Sequence, residues 1–478
     1  MTPPPRIWSP IASSMLLALL LVPASGAFAQ DKTHGIAGYT FGQISKNATF
    51  DRDPRVSRDG KVVWVGHYNL PGATSGSNDD EIMYFDGTTT VQITDDDTDW
   101  WRPVVNDAGQ VAYQGPGNFE DSDMYLYTPG VGTQRLTDDT ATPIADRYPD
   151  ISQRGVVVFS RLPLPLPWQF AVFDPLVGAP VVPSEGYRPH INELDHVVIT
   201  GKIVDLAGNT LVALPNLASF GWHSYRRAEI NDFDQVALEI DPTGYPDLTG
   251  PRILAFWDGT QLVKLFETGA VWGGRPDLNN SGVVAFESQG GLPGSSSGPN
   301  DFEIFVYDPA IGRVIQLTDD DLYDAWGTVT SSGRIVWRGN GSYDADDPVK
   351  SDNEIYYADP SGDADSDGIA DAADNCALEA NTAQTDSGGI GTGSPDGIGD
   401  ACQCGDVSDD GVVDAMDGAV YRLWLADPSV AFADQKCSTA ALYAGEPCSV
   451  LDTVRLRRAL AGLAGPGIQQ GCGAEDQW

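Results

Sequence analysis

One pattern recurs seven times between residues 56 and 337 of this 478-residue chain. In each copy an apolar residue precedes a four-residue turn, and apolar side chains then alternate with other residues, as in the run from Val105 to Tyr113. A repeat every 39 to 51 residues predicts one supersecondary unit per copy, stacked against its neighbours. The copies start at Val56, Val105, Ile151, Ile191, Ile230, Leu278 and Val329.

The chemistry of each copy indicates strands joined by tight turns. Five glycines and two aspartates stand four residues after the starts, where a hairpin turn needs a positive φ. Alternating β-branched and aromatic residues follow, and this period of two is typical of strands. A second pair of short apolar strands follows most copies. Each repeat therefore holds about four antiparallel strands, which is the size of one propeller blade. The turn residues are Gly60, Gly109, Gly155, Asp195, Asp234, Gly282 and Gly333.

The two ends of the repeat region predict that the blades close into a ring. The seventh copy ends with the strand 354–357, and no further strand follows it before the composition changes. The missing strand has its counterpart near the N-terminus, where Gln43-Ile44-Ser45 mirrors Gln92-Ile93-Thr94. Such closure would hide two sheet edges. We therefore expect an all-β, seven-bladed β-propeller over residues 30–360; an open solenoid and a sandwich are the alternatives.

The N-terminal residues predict export. Arg6 precedes the apolar run 15–22, and Ala27-Phe28-Ala29 has the small-x-small form of a signal-peptidase site. We expect a signal peptide over residues 1–29, no membrane span after its removal, and a secreted protein, either extracellular or periplasmic. The formal charge of −40 argues against nucleic-acid binding and makes Ca²⁺ a natural partner.

The repeats resemble two related groups of propellers. The run from Asn279 to Phe286 is similar to the Asn-x-x-Gly-x-Val-Ala-Phe motif of secreted tandem-repeat proteins. The Gln-Leu-Thr-Asp run at 316–319 resembles that of the TolB-type propeller family. The resemblance covers roughly residues 39–360 and implies the propeller fold without any specific activity.

An acidic loop follows the propeller region. Carboxylates occupy positions 1, 3, 5, 9 and 12 of a twelve-residue loop, and position 7 offers a backbone carbonyl, which suits the hard oxygen ligands of Ca²⁺. Residues 361–403 resemble a thrombospondin type 3 repeat, although 387–393 lacks the aspartates expected of a second calcium position. The predicted ligands are Asp363, Asp365, Asp367, Ile369, Asp371 and Asp374.

A second loop with the same spacing leads into a helix at 419–425. With the helix expected at 453–460, residues 404–478 resemble a dockerin type I module, a pair of EF-hand-like loop–helix units in a small, mainly α/loop calcium-binding region. The second unit has Ala441, Tyr443 and Gly445 at the ligand positions, so we expect no calcium there. The first unit's predicted ligands are Asp406, Ser408, Asp410, Val412, Asp414 and Asp417.

The dockerin resemblance implies attachment to a cohesin-like protein. A cell-surface partner and an intramolecular calcium-stabilised cap are the alternatives. All six cysteines lie in this tail, and in an exported segment they indicate disulfides. Given the two resemblances, our hypothesis among fifteen pairings is Cys376–Cys402, Cys404–Cys472 and Cys437–Cys448.

A set of arginines and aromatic residues stands three positions before the repeat starts, with Asp53 as the exception. In a closed propeller these residues would face the mouth of the central channel. There they could hold an acidic sugar or a peptide carboxylate by forked hydrogen bonds and stacking. Alternatively, they pack between blades and pair with acidic loops such as 95–99. The set is Arg102, Tyr148, Arg188, Arg227, Arg275 and Trp326.

No catalytic set is assembled in the sequence. The histidines lack zinc-site spacing, and the G-x-S-x-G match at 294–298 lies in a loop rather than at a strand–helix elbow. The sequence therefore favours a secreted binding or scaffold protein that a dockerin-like tail attaches or assembles. The alternative is a secreted carbohydrate-active enzyme, a polysaccharide lyase or a glycosidase. An arginine, a tyrosine or histidine and two carboxylates around one mouth would favour that alternative.

Overall fold

The structure is a computed structural model. It describes residues 39–47, 49–68, 70, 79–116, 122–138, 144–163, 167–243, 252–267, 274–289, 301–309, 313–319, 323–340, 353–360, 362, 369, 374–376, 381–395, 397–427, 429–430, 436, 453–454, 456–457 and 460–461. The predicted signal peptide and the motif at 294–298 lie outside these residues. No helix in the described ranges is long and apolar enough to cross a membrane.

The repeats form seven four-stranded antiparallel sheets, one sheet per blade. The first two blades comprise β2 (Asp51–Val56), β3 (Val62–Gly66), β4 (Glu81–Phe85), β5 (Thr90–Gln92), β6 (Trp101–Val105), β7 (Val111–Gln114), β8 (Met124–Thr128) and β9 (Gly132–Arg135). The third and fourth comprise β10 (Ala145–Ile151), β11 (Val157–Leu162), β12 (Gln169–Phe173), β13 (Val181–Glu185), β14 (His190–Ile191), β15 (Val197–Ile199), β16 (Lys202–Val204) and β17 (Thr210–Ala213).

The remaining three blades complete the ring. The fifth and sixth comprise β18 (Ser224–Ile230), β19 (Val236–Asp241), β20 (Ile253–Trp257), β21 (Leu262–Glu267), β22 (Asp277–Leu278), β23 (Val284–Gln289), β24 (Phe302–Asp308) and β25 (Arg313–Gln316). The seventh comprises β26 (Asp324–Val329), β27 (Ile335–Asn340), β28 (Asn353–Pro360) and β1 (Tyr39–Gln43). The first strand of each blade contacts that of the next blade, and β2 also contacts β26. These seven strands therefore surround the channel of a closed propeller, and the predicted fold is confirmed.

The turns after the innermost strands have the predicted conformation. All seven turn residues have positive φ, from 57° at Asp234 to 96° at Gly60. Apolar clusters fill the spaces between blades, with Trp64, Trp337 and Phe286 fully buried. The sequence alternation is therefore the alternation between the two buried faces of each blade.

The seventh blade closes as the sequence predicted, because β1 pairs with β28 in an antiparallel register from Tyr39–Pro360 to Gln43–Tyr356. In this blade Ser45 Oγ donates to Glu354 Oε2 at 2.6 Å and accepts from the Ile355 amide at 2.9 Å. We call this arrangement the acid–hydroxyl clamp. The same clamp joins Thr94 to Glu81, Thr137 to Asp123 and Thr318 to Glu303 in other blades.

The tail contains the helix α1 (Ala415–Ala426), with Asp414 as its N-cap, and a short 3-10 helix over Asp400–Cys402. Residues 453–454, 456–457 and 460 are also helical, and Leu456 packs in one buried cluster with Val407, Val413 and Tyr421. The predicted Cys376–Cys402 disulfide is confirmed. Cys404 is also disulfide-bonded. The predicted partners in the other two pairs lie outside the described residues.

Candidate functional site

The innermost strands are bulged where they approach one end of the channel. Register shifts interrupt the pairing of β2, β6, β10, β18 and β26 with the next strand. At the matching position five blades carry a non-glycine residue with φ between 51° and 62°. Such residues cost roughly 1–3 kcal/mol each and concentrate at functional sites. They are Asp53, Arg102, Tyr148, Arg188 and Trp326.

These bulges turn side chains toward a cavity of about 530 Å³ at the channel mouth. All six residues predicted for the mouth line this cavity, and we call them the mouth ring. Sequence reasoning missed several further lining residues, among them His190 and Glu229. Within a chain of net charge −40 the lining is rich in arginine. Its seven arginines are Arg52, Arg55, Arg102, Arg147, Arg188, Arg227 and Arg275.

The aromatic members of the mouth ring hold guanidinium groups. Those of Arg102 and Arg188 lie 4.2 and 4.3 Å from the centroid of the Tyr148 ring. Arg275 and Arg338 lie 4.6 and 4.2 Å from the Trp326 ring. Stacking on a ligand was one of the two alternatives for these rings; in the structure they form cation–π contacts with the arginines. Ligand contacts at this ring would therefore come mainly from guanidinium groups.

Two of these arginines have no acidic partner. Arg227 lies 3.5 Å from Glu239 and Arg275 lies 3.4 Å from Glu287. Arg102, in contrast, donates to the neutral Gln114 amide at 2.9 Å, and neither Arg102 nor Arg188 forms a salt bridge within the described ranges. The alternative in which the mouth ring pairs with the acidic loop 95–99 therefore does not hold for these two residues.

The concentrated positive charge changes the protonation of its neighbours. Burial would raise the pKa of Tyr148, but Arg188 and Arg102 outweigh burial and lower that pKa to about 8. Burial, together with repulsion from Arg275 and Arg188, lowers the pKa of Arg227 to about 10. The shift at Tyr148, which the two arginines produce against the effect of burial, shows that the cavity favours negative charge.

A second charged group lies beside the mouth ring and is internally paired. His190 Nδ1 lies 2.9 Å from Glu229 and 3.6 Å from Asp150, while Arg55 lies 3.9 Å from Glu229 and 3.8 Å from Asp277. Burial opposes the charge on His190, but Glu229 and Asp150 raise its pKa to about 10. Burial and then repulsion from Glu229 raise the pKa of Asp277 to about 6. The imidazole is therefore protonated at neutral pH and is no base there.

The sequence carried a signal for this inner group that we did not use. Asp150, His190, Glu229 and Asp277 all stand one position before a repeat start. Charged residues recurring at one position of a buried strand indicate a polar channel rather than a core. Proline also follows Asp53 and three members of the mouth ring with positive φ, at Pro54, Pro103, Pro149 and Pro189.

The opposite end of the channel is closed by a salt bridge. Arg58, in the first blade's turn, donates to both carboxylate oxygens of Asp232 in the fifth blade, at 2.6 and 2.9 Å. It also lies 3.4 Å from Glu193 in the fourth blade. Because these blades lie across the ring from the first, the guanidinium group crosses the channel axis. Hydrogen bonds between successive turns surround it, from Asp107 to Gln153, Gln153 to Glu193 and Glu193 to Asp232.

The predicted calcium ligands of the first tail loop lie mostly outside the described residues, namely Asp363, Asp365, Asp367 and Asp371. The remaining two, Ile369 and Asp374, are described. Asp374 Oδ1 accepts from the Cys376 amide and from Gln384, whereas its Oδ2 is buried and has no hydrogen-bond partner among the described residues. This orphaned oxygen fits a cation ligand.

The second loop is described and is organised around two buried carboxylates. Asp406 accepts from the amides of Asp410 and Gly411, each at 3.0 Å, and lies 3.2 Å from Lys436 Nζ. Asp417 accepts from the amides of Ser408 and Asp414.

The six predicted ligands of this loop do not form a ready-made metal site. Asp410 Oδ1 accepts from the Val412 amide, and Asp414 caps α1. Ser408 Oγ is buried without a partner, which suits an oxygen-ligated cation. Among the described residues, however, no three acidic, histidine or cysteine side chains converge as metal ligands, and Lys436 already places a positive charge on Asp406. Calcium binding here stays a prediction.

The thrombospondin-like segment packs against this loop. The Gly391 amide donates to the Val413 carbonyl at 2.7 Å, and Val413 donates back to Gly389. The glycine-rich run that replaces the expected aspartates therefore contributes backbone pairing to the second loop.

A family model, the thrombospondin type 3 repeat, matches residues 361–384. No curated protein matches the chain. The solved structures similar to it include the β-propeller domain of the Trilobed protease from Pyrococcus furiosus, at 10% identity and a TM-score of 0.46, covering 65% of this chain and 95% of that one.

Two further structures are similar at the same low level. TolB from Acinetobacter baumannii has 15% identity and a TM-score of 0.37, with 53% of this chain and 62% of that chain covered. Virginiamycin B lyase from Staphylococcus aureus has 12% identity and a TM-score of 0.41, with 67% and 98% covered. None of these similarities is high enough to carry an argument about function.

Proposed function

We propose that the chain is a secreted binding protein whose propeller takes an anionic ligand at the channel mouth. The observation that carries this proposal is the pair Arg102 and Arg188, two guanidinium groups that form no salt bridge among the described residues and lie at a cavity of a strongly acidic chain. Arginine forks recognise carboxylate groups with charge-assisted hydrogen bonds. A protein or a polysaccharide bearing carboxylates would supply such a ligand.

The tail would anchor this binding module. We propose that Ca²⁺ is held by the loops at 363–374 and 406–417 and that the module at 404–478 attaches the protein to a cohesin-like or cell-surface partner. The match to the thrombospondin type 3 repeat, a calcium-binding type of repeat, supports the first loop. The packing of Leu456 against Tyr421 supports a compact module built from two helical segments.

Binding of acidic and neutral polysaccharides to the full chain tests the ligand proposal. We expect polygalacturonate to bind and dextran not to bind, and we expect Arg188→Met to weaken polygalacturonate binding about tenfold or more, the effect of losing a charge-assisted hydrogen bond. Arg154→Met is the matched control, because Arg154 is paired with Asp174 and Asp195 away from the mouth. Equal binding of both polymers, or of both variants, would contradict the proposal.

A second candidate function has one specific observation in its favour. The mouth brings together an arginine, a tyrosine, a histidine and two carboxylates, in Arg188, Tyr148, His190, Glu229 and Asp150. A tyrosine with a pKa of about 8 is a suitable base for removing the proton next to a uronate carboxylate that an arginine neutralises. The chain would then be a polysaccharide lyase.

Lyase activity has a direct readout. Elimination creates an unsaturated uronate that absorbs in the ultraviolet, and we would follow this absorbance with acidic polysaccharides at mildly alkaline pH. Turnover that Tyr148→Phe abolishes, while polymer binding persists, would establish the enzyme. If no unsaturated product forms, the binding function remains the proposal.

A further inference from the structure

The arginines at the channel mouth are held rigidly and are incompletely neutralised. The ring of Tyr148 holds Arg102 and Arg188, which come from the blades on either side of its own. The ring of Trp326 holds Arg275 and Arg338. The Nε atom of Arg188 is buried and has no hydrogen-bond partner. Burial lowers the pKa of Arg227, and although Glu239 opposes this shift, repulsion from Arg275 and Arg188 adds to it. The guanidinium groups of the mouth therefore repel one another.

The geometry of the channel limits how a ligand can enter. The mouth leads into a cavity of about 530 Å³, and at the far end Arg58 spans the axis to Asp232 and Glu193. A polymer therefore cannot be threaded through the ring. Among the described residues the mouth is the open end of the channel, so a small molecule, or the end of a longer one, would reach the arginines from there.

The charge distribution limits what that ligand can be. In the part of the chain that the structure describes, Arg102 and Arg188 together offer two positive charges without a salt-bridge partner, so one carboxylate on the ligand would leave the cavity under-neutralised. The rings of Tyr148 and Trp326 already contact guanidinium groups and add little stacking surface.

We infer that the channel mouth binds, end-on, a compact ligand or chain end that carries at least two negative charges, and that charge and hydrogen bonding rather than ring stacking hold it. This inference rests on the proposed function and narrows it to one ligand class. Its source could be a free small polyanion or the end of an acidic oligosaccharide, since both present clustered carboxylates.

Calorimetric titration of the full chain with four probes tests the inference. The probes are tricarballylate (a small tricarboxylate), trigalacturonate, the neutral maltotriose and long-chain polygalacturonate. We expect the two short acidic probes to bind one per chain with an affinity that falls as salt rises, and maltotriose not to bind. Polygalacturonate should bind no more tightly, per mole of polymer molecules, than trigalacturonate, because only the end of the polymer enters the cavity.

The two short probes separate the sources. Similar affinity for tricarballylate and trigalacturonate identifies a free polyanion, whereas a preference for trigalacturonate of about tenfold or more identifies an acidic chain end. Arg102→Met and Arg188→Met should each weaken the short probes about tenfold or more, and Arg154→Met should not. Near-ultraviolet circular dichroism and melting of each variant establish that it is folded.

Two results would overturn the inference, and they differ in what they leave standing. If polygalacturonate binds more tightly in proportion to its length and the short probes do not bind, the protein recognises internal segments of the polymer and the inference is wrong. If Arg188→Met then loses this polymer binding, the proposed function still stands. If no acidic probe binds, the proposed function fails as well.

Discussion

The hydroxyl group of Ser45, just after β1, bonds to Glu354 and Ile355 of β28, and its removal gives the sharpest test of ring closure. Ser45→Ala deletes the bond to Glu354 and the acceptor of the Ile355 amide. Ser45 is 4% exposed and Glu354 is fully buried, so water cannot readily replace either bond. An orphaned buried polar group costs about 1–3 kcal/mol, so we expect a loss of about 2–4 kcal/mol.

Thr94→Ala is the matched control, because Thr94 makes the same acid–hydroxyl clamp with Glu81 and Ile82. Both variants should lose a similar amount of stability in chemical denaturation. Only Ser45→Ala should free β1, because β5 remains tethered to its own blade by the β4–β5 hairpin.

Amide hydrogen exchange distinguishes the two variants. If closure of β1 loses about 2 kcal/mol, the amides paired between β1 and β28 should exchange about 30-fold faster in Ser45→Ala. The same amides should be unaffected in Thr94→Ala. Unchanged exchange in Ser45→Ala, or equal acceleration in the control, would refute the view that this clamp closes the ring.

Three further predictions follow from the protonation states and from the tail. Burial raises the pKa of the Glu81 carboxyl group from 4.5 to about 7, so the stability that this group contributes is present below pH 4.5 and is lost as the pH rises through about 7. The denaturation midpoint should therefore fall over this pH interval, and it should fall less in Glu81→Gln. An equal fall in both proteins would contradict this prediction. Ultraviolet titration should find one phenol group with a pKa of about 8, and this group should be absent in Tyr148→Phe. Its pKa should rise in Arg188→Met, because this variant lacks a cation that stabilises the phenolate. Titration of every tyrosine near its ordinary value would exclude this mouth geometry. Chelation of Ca²⁺ should accelerate exchange in residues 361–420 and leave propeller melting unchanged, whereas tail exchange that does not respond to chelator would argue against calcium there.

The sequence determined the ring more fully than the site. Turn residues such as Gly60 and Asp234 could be found because backbone geometry restricts them to a few residue types. Ser45 could be matched to Thr94 because both serve the same local hydrogen bonds. These features depend on contacts within one blade, and their recurrence in seven blades made the pattern easy to detect.

The site was recognised as a set of positions but not as a geometry. The mouth ring was located by its spacing, yet the positive φ at Arg102 and Tyr148 follows from bulges that no single residue requires. The salt bridge from Arg58 to Asp232 joins residues 174 positions apart across the channel, and the repeat pattern contains no cue for it. Whether Tyr148 would contact a ligand or a guanidinium group depended on neighbours from two other blades.

The pairing of β1 with β28 also has a consequence for how the molecule is made. Ser45 and Glu354 are 309 residues apart, so β1 is synthesised long before its partner β28 and keeps an open hydrogen-bonding edge until almost the entire ring has been made. Contacts at such separation form slowly, and an unpaired edge can pair with other chains in the meantime. We therefore expect the yield of closed rings to depend on how well the open edge of β1 is protected until β28 has been made.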